Sequence, residues 1–242
     1  MQIQPFSSAT IRRALADGWQ LANATRGVSI AYSLIFVLAG GLILGGLLLQ
    51  GWTPFVIAAA GAFMLVGPVI LAGFYGIAGA YERGERVAFG NVLTGFGAAS
   101  RALWALALVC GLLFMIFVTD AAILYAYMLG QTPVWVTDLT TAAGVFKFFR
   151  WASVSGLVVA LLLFGVSAFS VPLLCERRAG LVEAVVLSVR IVFGSFPAAM
   201  LWAAVLASLT IGSVLLLPVL PLTLPWLAYA SRALYRQVVP LT

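Results

Sequence analysis

The chain has 242 residues, of which 64% are hydrophobic and 8% charged, with a formal net charge of +6. Soluble domains carry about 25% charged residues, so this composition excludes a water-dispersed globule and points to a chain embedded in lipid. The basic excess does not mark a nucleic-acid partner, because the arginines are strung along the borders of apolar runs, where they set orientation and meet anionic lipid.

In chain order, Ile11, Leu15, Trp19 and Ala22 share a helical face opposite Arg12, Arg13 and Gln20, which predicts a short helix lying flat in the membrane interface. No charged residue occurs between Arg26 and Glu82. A helix needs roughly 20 apolar residues to cross about 30 Å of hydrocarbon, so this run holds two crossings, Val28–Leu49 and Phe55–Ala80. The first is far longer than the roughly 7–15 residues of a cleavable signal and is expected to be retained. Gly41 and Gly45 form a G-x-x-x-G in it, and Gly67, Gly73, Gly76 and Gly79 smooth the second crossing. Such strips let helix backbones approach closely, within one bundle or against a second chain.

Phe89, Val92, Leu93 and Phe96 predict a second flat helix, followed by a third crossing, Leu103–Tyr127. Asp120 is the one acid inside a predicted crossing, near its outer end. Ionisable groups in a bilayer are costly, which leaves three readings: solvation, pairing with Lys147 or Arg150, or a proton or ion pathway. The segment Gln131–Arg150 reads as an outer loop. Trp135, Phe146, Phe148 and Phe149, with Trp151 beyond it, form either a headgroup belt or docking anchors for a partner.

Ala152–Leu174 is the fourth predicted crossing, and Val182, Val185, Val186 and Val189 mark a third flat helix. Ala198–Leu215 and Leu217–Tyr235 complete the set. Pro218 suits a first helical turn, while Pro221 and Pro225 predict a kink. If the chain fails to turn between Ser213 and Pro218, the count falls to five.

Eleven of the 13 basic residues, from Arg12 to Arg236, fall on one side of these crossings, leaving Lys147 and Arg150 for the other. By the positive-inside bias the first side is cytoplasmic, and basic groups at both ends require an even number of crossings. The expectation is an all-α polytopic membrane helix bundle in one domain, residues 1–242, of six transmembrane helices. They form three hairpins, each preceded by a short interfacial amphipathic helix, in a bacterial inner membrane with both termini cytoplasmic. Weak repeats over 9–86, 87–178 and 181–238 accompany it. Gly95-Phe96-Gly97-Ala98-Ala99 parallels Ser195-Phe196-Pro197-Ala198-Ala199, and Glu82-Arg83 recurs as Glu176-Arg177.

The chain has no histidine, and Cys110 and Cys175 are too isolated for a cysteine-rich metal site or a disulfide. No P-loop, triad or intramembrane carboxylate pair is present. Neither cofactor, metal nor catalytic residue is expected. Membrane lipids and other membrane protein subunits are the expected partners, and the oligomeric state is left open.

Leu65-Val66-Gly67-Pro68, Leu71-Ala72-Gly73-Phe74-Tyr75 and Glu82-Arg83-Gly84-Glu85 resemble the DUF2189 family of bacterial integral membrane proteins. Phe169-Ser170-Val171-Pro172-Leu173-Leu174 and Ser188-Val189-Arg190 resemble its second signature, and the likeness runs over nearly the whole chain. Cys175 precedes Glu176-Arg177 where the family often has an acid–arginine pair directly, and the last helix lacks the family's histidine. The resemblance implies no established activity. Labels that link some members to respiratory oxidases imply an accessory role at most, because haem-ligating histidines are missing here.

The leading expectation is a non-catalytic accessory, scaffold or assembly subunit of a larger membrane complex, respiratory or otherwise energy-transducing. The alternative is a small transporter or channel with Asp120 as its ionisable pathway residue, since transporters often contain internal repeats.

Overall fold

The computed structural model describes residues 4–130, 133–136 and 144–240, and the side chains of all of these except 57–69. Among the described residues ten α-helices follow in order: α1 (Ser8–Ala24), α2 (Arg26–Leu49), α3 (Phe55–Glu82), α4 (Gly90–Ala98), α5 (Arg101–Leu129), α6 (Val145–Ser167), α7 (Ser170–Cys175), α8 (Leu181–Gly194), α9 (Phe196–Leu215) and α10 (Leu220–Val238). Among the described residues the extended pairing is a single bridge between Trp52 and Val134. The fold is all-helical, as the composition leads one to expect. Gly67 and the side chains around it lie outside the described set.

Local chemistry sets several boundaries. The Ser7 N–H donates to the Thr10 hydroxyl at the start of α1. Leu103 N–H donates to the Ser100 hydroxyl at the start of α5, and Gly130 ends that helix with φ +63°. Pro172 has no N–H to offer the carbonyl four residues back, so the fourth predicted crossing breaks between α6 and α7. In a regular helix Phe169 N–H would bond to Gly165 C=O. Here the buried Ser188 hydroxyl of α8 inserts between them, accepting from Phe169 N–H (3.1 Å) and donating to Gly165 O (2.8 Å).

The long helices alternate in direction. Tyr32, early in α2, packs with Phe74 and Ile77, late in α3. Phe55, at the start of α3, joins Tyr125 late in α5 and Phe148 early in α6. Leu103 at the start of α5 shares a cluster with Leu173 and Leu174 of α7, Trp202 early in α9 and Leu234 late in α10. Val214 and Leu220, at the α9–α10 joint, pack with Leu44 late in α2. The chain therefore turns back after Leu216, through a 3-10 turn at Leu217–Val219, where the sequence left least room for it.

Among the described residues, four stretches are long and apolar enough to cross a membrane: α2, α5, the α6–α7 stretch Val145–Cys175, and α9. That is fewer than the six expected. α3 has the length, with 28 residues, but includes the residues whose side chains are not described. α10 carries Arg232 and Arg236 and is poorer in apolar residues, yet most of it is buried. Its surroundings are protein: α1 packs along it in the most extensive helix contact of the described structure, with α2, α3 and α9 on its other sides. A helix screened from lipid in this way does not need a lipid-compatible surface.

The three expected flat helices are α1, α4 and α8, and their inward faces overlap the expected ones only in part: Ile11, Ala22 and Val92 of those faces are buried. Each turns small residues toward the bundle: Ala14, Gly18 and Ala22 in α1, Gly95 in α4, Ala184 and Ser188 in α8. Trp19, Phe89, Leu93, Val182 and Val186, read from the sequence as part of the same apolar faces, are exposed. Close approach requires the small side. A Cβ on Gly18 would stand 2.5 Å from the Ala230 nitrogen of α10.

Candidate functional site

The densest polar constellation lies at the basic end, where α3, α7 and α10 finish together. Arg232 and Arg236 are one helical turn apart on α10 and point the same way. Arg232, with its side chain 8% exposed, donates to both oxygens of Glu82 at 2.5 and 3.0 Å, a bidentate pair. Its Nε stands 3.4 Å from Glu176, and its guanidinium lies over the Tyr75 ring, 5.5 Å from the centroid. Arg236 bridges the same two acids, at 2.8 Å to Glu82 and 3.0 Å to Glu176.

The glutamates are the two acids of the recurring Glu-Arg pair, and the arginines of α10 bring them together. Burial alone would push the Glu82 carboxyl up, but the hydrogen bonds and charges of Arg232 and Arg236 outweigh it and hold it below its usual value of 4.5. Burial likewise opposes the charge on Arg236, and Glu176 and Glu82 more than compensate.

The two arginines after Glu176 serve helix ends. Arg178 donates to the Tyr235 hydroxyl and to the carbonyls of Val239 and Pro240, each at 2.9 Å, capping the end of α10. Arg177, at φ +53°, donates to the carbonyls of Ala98 (2.6 Å) and Gly97 (3.3 Å) at the end of α4. Beside the cluster a cleft of about 500 Å³ opens, lined by Asp17, Gln20, Tyr81, Glu82, Arg232 and Arg236 among others. An arginine keeps its proton at any physiological pH and is no general base. What the arrangement does chemically is hold the Glu82 carboxylate ionised and tie three helix ends together.

The residues singled out in the sequence distribute differently. A Cβ on Gly73 would meet the Tyr32 ring at 2.6 Å, and one on Gly76 would stand 2.7 Å from Gly95 of α4. These two glycines therefore serve packing within the chain. Gly41 has only Leu217, at 3.8 Å, near where a Cβ would point, and Gly45 has no described atom within 4 Å.

The aromatic segment is no uniform loop, because α6 begins at Val145, after Gly144 at φ +87°. Phe146 is 82% exposed and Trp135 and Trp151 are half exposed. Phe148 is 2% exposed and packs edge-on against Tyr125, so it belongs to the core and not to an outer belt or docking surface. Phe149, partly buried, meets it edge-on with ring centroids 5.8 Å apart.

Asp120 accepts a hydrogen bond from the Ser155 hydroxyl of α6. Among the described residues no ion pair joins it to Lys147 or Arg150, and Arg150 lies instead over the Trp151 ring at 5.8 Å. Cys110 and Cys175 are free thiols.

Sequence reasoning passed over the Arg232–Arg236 cluster. The signal was there in two pieces: arginines four apart on one helix, and a Glu-Arg pair recurring at the ends of two crossings.

Comparison with curated proteins and with solved structures found no match. The profile of the DUF2189 family, described as a predicted integral membrane protein, matches residues 55–176. The match starts with α3 and ends at Glu176, taking in both clustered glutamates. Ser188-Val189-Arg190 and the arginines of α10 fall outside it, so it is shorter than the likeness read from the motifs. The matched segment spans half of the sequence, and the chain belongs to the DUF2189 family of predicted integral membrane proteins.

Proposed function

We propose that this protein is a non-catalytic subunit of the bacterial inner membrane that supports the assembly of a larger, energy-transducing membrane complex. On this reading it crosses the bilayer six times, with both termini cytoplasmic. The observation that carries the reading is the arginine–glutamate cluster: its charges neutralise one another across three repeats, which suits a rigid body better than a turnover site. The alternating helix directions and the basic residues gathered at one end support the six crossings. Half-exposed Trp135 and Trp151, with Phe146, leave aromatic surface at the other end for lipid headgroups or a partner.

Solubilisation in a mild detergent followed by mass spectrometry tests the assembly role. Companion membrane proteins at fixed stoichiometry are expected, and recovery of the chain alone or as a homo-oligomer overturns it. Topology is read with a phosphatase active only outside the cytoplasm. Fused after Thr242 it is expected to be silent, and inserted near residue 140 it is expected to be active.

A second reading, a small transporter, is favoured by one observation: Asp120 and Ser155 sit together in a groove between α5 and α6. It requires Asp120→Asn to abolish proton flux in vesicles loaded with a pH-sensitive dye. Unchanged or absent flux in both forms removes it.

A further inference from the structure

Toward the end opposite the arginine cluster, α5 and α6 leave an apolar groove of about 360 Å³, walled by Ile116, Phe117, Trp151 and Val154 among others. Ile116 and Val154 are more than half exposed, and Ile123 beside them is too, so the groove opens on a surface suited to lipid. Asp120 and Ser155 lie in it. One hydroxyl donor leaves most of the carboxylate's roughly four lone-pair sites free, and no cation of this chain closes on it among the described residues. A carboxylate left so in an apolar band is costly unless something else covers it.

We infer that the groove receives a membrane-spanning helix of a partner protein that carries a lysine or arginine in its outer third, paired with Asp120. The inference rests on the assembly role proposed above and names the face through which it works. Depth argues for a helix and against a lipid headgroup. Ser155 lies five residues beyond Arg150 on α6, about 7.5 Å deeper along the helix axis. A headgroup ammonium would stop at the level of Lys147 and Arg150 and be repelled by them, whereas a helix delivers a cation below that level. A second copy of this chain is also a poor occupant. Lys147 and Arg150, at the start of α6, are its only basic residues toward that end.

The test uses the full chain in phosphatidylcholine vesicles with a 24-residue leucine-rich membrane-spanning peptide, followed by energy transfer between fluorescent labels. The peptide carries one lysine, one glutamate or neither. The lysine peptide is expected to associate about three- to fifteenfold more tightly than the leucine one, the range for one interhelical polar contact in a bilayer, and the glutamate peptide least. Equal association of the three peptides with the unaltered protein overturns the inference without any variant. Asp120→Asn keeps the Ser155 contact through its amide oxygen and is expected to remove the lysine preference, while Glu85→Gln, at the far end, is expected to preserve it. Loss of the preference in both would mark general attraction and overturn the groove. Asp120-dependent transfer between two labelled copies of the protein would give the groove to self-association and overturn it too. A protein that purifies alone yet prefers the lysine peptide defeats the assembly role and not the groove; companions without a lysine preference do the reverse.

Discussion

A Cβ added to Gly76 would run into the Asn91 carbonyl oxygen and the Gly95 backbone, so the two helices would have to part. Gly76→Ala is expected to lower stability by about 1–3 kcal/mol, the usual cost of overpacking, while Gly45→Ala is expected to change it by less than about 0.5 kcal/mol. Thermal melts of both variants in the same detergent make the comparison, and equal melts would show that α3 and α4 do not meet at Gly76. In the sequence these glycines look alike, because a strip of small residues says that backbones approach without saying which. The same blindness covers the arginines of α10: spacing puts them on one face, but their acids lie 150 and 56 residues away for Arg232. Arg232→Ala would leave Glu82 and Glu176 facing each other without their inner cation. Breaking a fully buried pair costs about 3–5 kcal/mol. Glu82 is 41% exposed, which screens part of that, and a loss of about 1–3 kcal/mol is expected. Arg232→Lys keeps the charge but not the bidentate fork, and is expected to restore only part of it.

Helices and their alternating directions were legible, since apolar runs and charged borders need only composition and spacing. Breaks and faces were less so. The fourth crossing reads as continuous because Pro172 can be absorbed in a membrane helix when neighbouring groups satisfy what it frees. What ends α6 early is a pair of atoms, the proline nitrogen on α7 and the Ser188 hydroxyl on α8, and the second comes from a helix later in the chain. Ser188→Ala strands a buried N–H and a buried C=O, with an expected loss of about 1–3 kcal/mol. Pro172→Ala lets the helix run through, so that Phe169 N–H can return to Gly165. In that background Ser188→Ala is expected to cost less than half as much, which a double-mutant cycle measures directly. Equal losses in both backgrounds would mean that the hydroxyl does not hold the break. The lead helices were legible only in part, for a related reason. An apolar face and a small-residue face overlap on one short helix, and only the partner, α10 for α1, decides which goes inward.

At the scale of the molecule the cluster ties the ends of α3 and α7 to α10, so its protonation should govern how firmly α10 stays in place. Glu82 has its folded-state pKa below the ordinary 4.5. Above that value the carboxyl is ionised whether or not α10 is docked, and the stabilisation is complete. Between the ordinary and the lowered value the loosened state takes up a proton that the docked state refuses, so stability falls as pH falls. Below the lowered value the contribution is gone. Detergent-solubilised protein is therefore expected to hold a constant melting temperature from neutral pH down to about 5 and to lose it progressively below about 4.5. Glu82→Gln removes the titrating group. It should melt lower than the unaltered chain at neutral pH, and the gap should narrow as acid takes the same charge from the unaltered protein. A gap that stays constant down to pH 3 would mean that the Glu82 charge contributes nothing. The same titration of Arg232→Ala should be flatter than that of the unaltered protein, because without Arg232 the largest hydrogen-bonded cause of the lowered pKa is gone.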